Sequence, residues 1–202
     1  MKTRTIAIMA LLLAGACSSR ADLTGVNLWS YNSDVMTCYG YGFQTNSPGN
    51  YQLSIDGQQL LPAVAQIGGD ILANSETDPT LTLDNEIDND TGITWDDYHV
   101  TIEMSKSFSF SNVAVDNGWT INTTAPVQVG SDWIGYIDYY AGTPVPNGGT
   151  LDFSFSLTFV GGASFQEDLV PSPVPEPATA GCFLLGLGAL ACCRRFTKNR
   201  RS

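Results

Sequence analysis

Leu151, Phe153, Phe155, Leu157 and Phe159 alternate with Asp152, Ser154, Ser156 and Thr158. A period of two places every apolar side chain on one face of an extended chain, which predicts a half-buried strand. Tyr98, Val100, Ile102 and Met104 repeat the pattern against His99, Thr101 and Glu103. Leu81 and Leu83 begin a further strand, and the run from Trp133 to Tyr140, apolar on both faces, predicts a central one. Asp56-Gly57, set between Leu53-Ser54-Ile55 and Gln58-Gln59-Leu60, predicts a tight hairpin. Gly68-Gly69, Asn89-Asp90-Thr91-Gly92, Asn117-Gly118 and Pro146-Asn147-Gly148-Gly149 mark other turns. Turns spaced about ten residues apart, with no helical periodicity between the two ends, predict an all-β chain: an antiparallel β-sandwich, jelly-roll-like.

The two ends break this pattern. Lys2 and Arg4 precede an apolar stretch from Ile6 to Ala16, followed by small residues at Ala14-Gly15-Ala16 and at Ser19-Arg20-Ala21. That order predicts a signal peptide over residues 1–21. Cys17 offers an acylation alternative, which Leu13 fits poorly, one position too far upstream. At the other end Ala178 to Cys193 is an uncharged apolar run of sixteen residues. As a helix it spans roughly 24 Å, slightly under the ~30 Å hydrocarbon core. Extended to Phe196, it predicts a transmembrane helix over 178–196, stopped by Arg194 and Arg195 and followed by a basic cytoplasmic tail over 197–202. Between the ends lie a predicted ectodomain, 22–165, and a segment rich in proline and acid, 166–177, which reads as a linker.

Charge sharpens this division. Lys106 is the only lysine or arginine between Ala21 and Cys193, whereas all twenty acids fall between Asp22 and Glu176. The predicted exported part therefore carries a net charge near −19. Such a surface repels phosphate backbones and argues against nucleic-acid binding. Cys38 is the only cysteine of the predicted ectodomain, so no internal disulfide can staple it and stability must come from an apolar core.

Candidate chemistry is sparse. His99 is the only histidine, and no serine sits in a Gly-x-Ser-x-Gly elbow. One histidine and one cysteine fall short of a zinc site. Asp96-Asp97 and Glu167-Asp168 are adjacent pairs, which a strand points to opposite sides. The segment from Asp84 to Asp97 is the densest in oxygen donors. Asp84, Asp88, Asp90, Asp96 and Asp97 are candidate ligands for calcium, which takes six to eight oxygens. The EF-hand spacing fails, since counting from Asp88 places the glycine fifth and His99 twelfth. The competing reading is a solvated acidic loop that blocks edge-to-edge pairing. Trp29, Trp119, Trp133 and several tyrosines could present sugar-binding rings, although aromatics in strands more often fill the core. The expectation is a protein that is not an enzyme and needs no cofactor, calcium being the one candidate.

Val174, Pro175, Glu176 and Pro177, with the Gly/Leu/Ala-rich span and the Arg194-Arg195 stop behind them, resemble a PEP-CTERM sorting signal. The resemblance implies a bacterial envelope with an outer membrane and processing by an exosortase. The predicted signal peptide calls for the Sec translocon and signal peptidase and the apolar span for inner-membrane anchoring; the resemblance then implies a place at the cell surface or in extracellular matrix, where exopolysaccharide is a candidate partner. The segment holding Asn89-Asp90-Thr91-Gly92 and Trp95-Asp96-Asp97-Tyr98-His99 resembles a stretch recurrent in exported PEP-CTERM proteins, and assigns no chemistry. The implied role is structural or adhesive. The alternatives are a carbohydrate-binding module or polysaccharide hydrolase, and a calcium-dependent adhesion module.

Overall fold

Period-two alternation becomes strand after strand in the computed structural model, which describes residues 23–30 and 32–173. Among these residues eleven strands follow one another: β1 (Leu23–Ser30), β2 (Met36–Ser47), β3 (Asn50–Gln59), β4 (Ala65–Ala73), β5 (Thr80–Asn89), β6 (Trp95–Met104), β7 (Phe108–Val115), β8 (Thr120–Val129), β9 (Asp132–Val145), β10 (Thr150–Phe159) and β11 (Ala163–Pro173). They form a six-stranded sheet in the order β1-β4-β11-β6-β9-β8 and a five-stranded sheet in the order β2-β3-β5-β10-β7. No helix occurs among the described residues, so none there is long and apolar enough to cross a membrane.

The two sheets bury their alternating faces against each other. Leu151, Phe153, Phe155, Leu157 and Phe159 of β10 and Tyr98, Val100, Ile102 and Met104 of β6 are all buried. Phe153 meets Tyr98 at 5.7 Å and Tyr139 at 5.3 Å between ring centroids, which joins the sheets through tilted aromatic contacts. The predicted turns at Asn89–Gly92, Asn117–Gly118 and Pro146–Gly149 join successive strands, and Gly92, Gly118 and Gly148 take the positive φ those turns demand.

The structure departs from the sequence expectation in four places. The sandwich is mixed rather than wholly antiparallel, because β3 runs parallel to β5. The chain reaches this arrangement by crossing into the other sheet for β4 between them. No hairpin forms at Asp56-Gly57, which continues β3; Met36 packs so closely over Gly57 that a side chain there would collide with it. Gly68-Gly69 likewise lies inside β4, where a Cβ on Gly69 would sit 2.7 Å from the Phe165 ring.

The fourth departure bears most on function. Residues 166–173, expected to be linker, form most of β11, an interior strand between β4 and β6. Alternation explains it: Phe165, Glu167 and Leu169 point inward and are buried. Pro171 and Pro173 hid this strand, since proline is foreign to a strand paired on both sides. The pairing with β4 ends at Leu169, so both prolines fall where only β6 flanks the strand.

Candidate functional site

Two local irregularities build a cleft on the outer face of the six-stranded sheet. On β6, Asp96 is an extra residue between Trp95 and Asp97, where the register shifts against both neighbouring strands. On β9, Ala141 to Pro144 bulge out between Tyr140, which pairs with Asp97, and Val145, which pairs with Trp95. Ala141 sits at φ 57, a left-handed conformation that costs a non-glycine residue energy. The Trp119 indole N–H donates to the Thr143 carbonyl at 2.6 Å, and its ring lies where any side chain on Gly142 would go. The bulge leaves an open cleft of about 440 Å³, lined chiefly by Asp96, Asp97, His99, Asn122, Asp138 and Tyr140.

His99 crosses the floor of this region. Its Nδ1 lies 2.9 Å from Asp138 Oδ1 and its Nε2 lies 3.2 Å from Ser172 Oγ. Asn122 Nδ2 donates to the other Asp138 oxygen at 3.3 Å. Four neighbouring strands, β11, β6, β9 and β8, are thus linked side chain to side chain. Sequence reasoning placed His99 on the polar face of a strand but could not find its partners, which are 39 and 73 residues away. The trio has the order of a Ser-His-Asp relay. That chemistry also needs N–H donors for an oxyanion, and Pro171 and Pro173, on either side of Ser172, have none.

A second polar group lies inside the sandwich. Glu167 on β11 is fully buried beneath β5, where Asn85 Nδ2 donates to its Oε1 at 3.3 Å. Glu167 Oε2, Asn85 Oδ1 and the Tyr139 hydroxyl are buried without a hydrogen-bond partner among the described residues. Burial pushes the Glu167 carboxyl up to about 8, against a smaller lowering by the Asn85 hydrogen bond. Burial and the nearby Glu167 carboxylate also raise the Tyr98, Tyr139 and Cys38 groups. A proton on Glu167 Oε2 supplies the donor that Asn85 Oδ1 lacks, so the protonated acid and the amide match as a neutral pair. The sequence shows Glu167 only as half of the Glu167-Asp168 pair; its burial stays hidden because residues 166–173 read as linker.

The five carboxylates picked out as calcium ligands do not come together. Asp84 and Asp88 lie on β5 in the five-stranded sheet and Asp90 just beyond it, whereas Asp96 and Asp97 lie on β6 in the other sheet. The supposed acidic loop is mostly strand, and the chain changes sheets inside it. Gln52 Nε2 donates to Asp84 at 2.9 Å, the Thr150 hydroxyl donates to Asp88 at 2.7 Å, and Gln58 donates to Asp90. Among the described residues no group of three His, Cys, Asp or Glu could hold a metal ion. The register instead sets Asp56, Glu86 and Asp152 side by side across three strands. Repulsion from Asp152, then burial and the other neighbouring carboxylates, raises Glu86. Burial, then Asp116, Asp84 and Asp88, raises Asp152.

The aromatic residues divide between core and surface. Trp119 and Tyr139 are buried, while Tyr39, Tyr41, Tyr136 and Tyr140 are exposed. The expected signal peptide, Val174 to Pro177, the apolar span 178–196, Arg194 and Arg195 all lie outside the described residues.

No curated protein and no solved structure matches the chain. A family model described as the PEP-CTERM protein-sorting motif matches residues 173–198. The matched segment begins on Pro173, the last residue of β11, so the chain carries a C-terminal PEP-CTERM protein-sorting motif.

Proposed function

We propose that the chain is an exported protein of the cell surface or extracellular matrix, with a structural or adhesive role and no catalytic one. The observation that carries this reading is the match of residues 173–198 to the sorting motif, which begins on Pro173 of β11. An exosortase acting behind Pro173 leaves every strand among the described residues intact. The signal peptide at residues 1–21 would bring the chain to the Sec translocon and signal peptidase. The apolar span 178–196 would hold it in the inner membrane until processing. The strand order supports a jelly-roll-like body, with β4-β11-β6-β9 facing β5-β10-β7 in two interleaved windings. The trio of Ser172, His99 and Asp138 acts as a clasp across strands, in line with the prolines around Ser172. Replacing Glu176 with alanine should trap the full-length chain in the membrane fraction, with an intact carboxy terminus by mass spectrometry. Unchanged processing and release in that variant would refute the sorting role.

The cleft favours a second reading, a carbohydrate-binding module. Tyr140 and Tyr136 expose rings on the sheet face that also carries Asp97, His99, Asn122 and Asp138, acceptors and donors suited to sugar hydroxyls. Binding to neutral glycans on an array, lost in Tyr140→Ala, would establish it. An array with no binding would remove it.

A further inference from the structure

The four edge strands differ from all the others in charge. β1 and β8 border the six-stranded sheet, and β2 and β7 border the five-stranded one. None of the four contains a charged residue. Each of the seven interior strands carries at least one Asp or Glu, from Asp56 on β3 to Glu167 on β11. Soluble sandwiches usually do the reverse, placing charge on their edges to stop strands of other molecules from pairing there. In a chain with a predicted exported charge near −19, edges free of acid are a marked departure.

Three of the edges carry other obstacles to pairing. β8 contains Pro126 and a register break between Thr124 and Val127. β7 contains Asn112 at φ 50 and a break opposite Ser154 to Ser156. β1 has only eight residues and a break between Leu23 and Gly25. β2 is the longest edge, with twelve residues and no proline, and its breaks bracket a regular run from Gly40 to Thr45.

The side chains of that run are also incompletely covered. Tyr41 and Phe43 pair across with Ile55 and Leu53, both buried, and so face the same side of the sheet as the core. Tyr41 is nevertheless 52% exposed, because the sandwich ends there. Phe43 is half-buried and stacks on Tyr51 at 5.8 Å. Among the described residues the edge thus offers open backbone hydrogen-bonding groups and an unfinished apolar layer together.

We propose that β2 pairs with β2 of a second copy of this chain, extending the five-stranded sheet across a two-fold axis. Antiparallel pairing centred on Gly42 sets Tyr41 of each copy against Phe43 of the other, as such an interface requires. Charge favours a second copy over a cationic partner, which would be drawn to the acidic interior strands. The nearest acids, Asp56 on β3 of each copy, stand three strand spacings apart and, because Asp56 pairs with Gly40, four residues apart along the strands, roughly 19 Å in all. That exceeds the ~8 Å screening length at physiological salt but not the ~30 Å at 0.01 M. Association should therefore strengthen with salt, the opposite of an ion-paired interface. The inference deepens the structural role proposed above; it concerns contact between copies and does not depend on where the protein is sorted.

Sedimentation velocity of the full-length chain in detergent micelles, at ~0.01 M and ~0.15 M salt, tests it. The wild type should show a dimer that grows with salt. Gly42→Lys should lose that salt-dependent dimer, its dissociation constant rising roughly tenfold or more as two lysines meet at the axis. Nothing lies within 4 Å of the Gly42 Cβ position, nor of that of Gly40, so Gly40→Lys serves as the second variant. Val129→Lys on β8 should associate like the wild type. Equal melting temperatures at low salt establish that the variants fold. A wild type without salt-dependent association, or a folded Gly42→Lys and Gly40→Lys that associate as it does, would overturn the proposal. So would loss of the dimer in Val129→Lys alone. Failure here leaves the sorting experiment untouched.

Discussion

Replacing Glu167 with glutamine should stabilise the sandwich at neutral pH and flatten its pH dependence. The carboxyl goes from an ordinary 4.5 to about 8 when the fold buries it. Between those values the native state keeps a proton that the unfolded chain releases, so stability falls as pH rises. The contribution is fully present below the unfolded value near 4.5 and is lost as pH climbs through about 8. At about 1.4 kcal/mol per pH unit, keeping the group neutral costs roughly 3 kcal/mol at pH 7. Glutamine has nearly the same shape and no proton to lose. Its amide can accept from Asn85 Nδ2 and donate to Asn85 Oδ1, which is unpartnered beside the glutamate. Glu167→Gln should thus match the wild type near pH 4.5 and exceed it by roughly 3 kcal/mol at pH 7, about 6–12 °C in melting temperature. Urea denaturation of both proteins at pH 4.5, 6, 7 and 8 provides the comparison. Glu86 and Asp152 at the surface are raised in the same direction, but they are common to both proteins and cancel in the difference. A variant with the wild-type pH slope, or one less stable than wild type at pH 8, would refute the reasoning.

Repulsion along Asp56, Glu86 and Asp152 should make Glu86→Gln more stable than wild type by about 0.2–1 kcal/mol at low salt, with the gain fading as salt rises; thermal melts across a salt series would check this, and a gain independent of salt would count against it. A chain ended after Pro173 should retain the cooperative unfolding transition of the full-length protein. One ended after Phe165 should lose it, because the six-stranded sheet is then broken between β4 and β6; circular dichroism melts of the two would show the difference, and equal transitions would contradict the place given to β11.

Sequence alone reveals the strands in which one face is apolar and the other polar, as in β6 and β10. Their period-two pattern is local, and each inward side chain is apolar in its own right. Turns with glycine at positive φ, at Gly92, Gly118 and Gly148, are legible for the same reason. The sorting motif is more legible still, since it is read as linear sequence at residues 173–198. Gly57 and Gly69 mislead because a glycine that makes room for Met36 or Phe165 looks identical to one that makes a turn.

What tertiary structure decides is which distant segments meet. It sends β5 and β6 into opposite sheets and so separates Asp84 and Asp88 from Asp96 and Asp97. It brings Asp138 and Ser172 to His99, and carries the fold through Pro171 to Pro173 by ending β4 opposite Leu169. It buries Glu167 against Asn85 and leaves β2 at an edge. Alternation tells a strand which of its faces is apolar but not which strands flank it. Backbone pairing groups are the same at every residue except proline, so the choice of neighbours follows from packing of the whole sandwich.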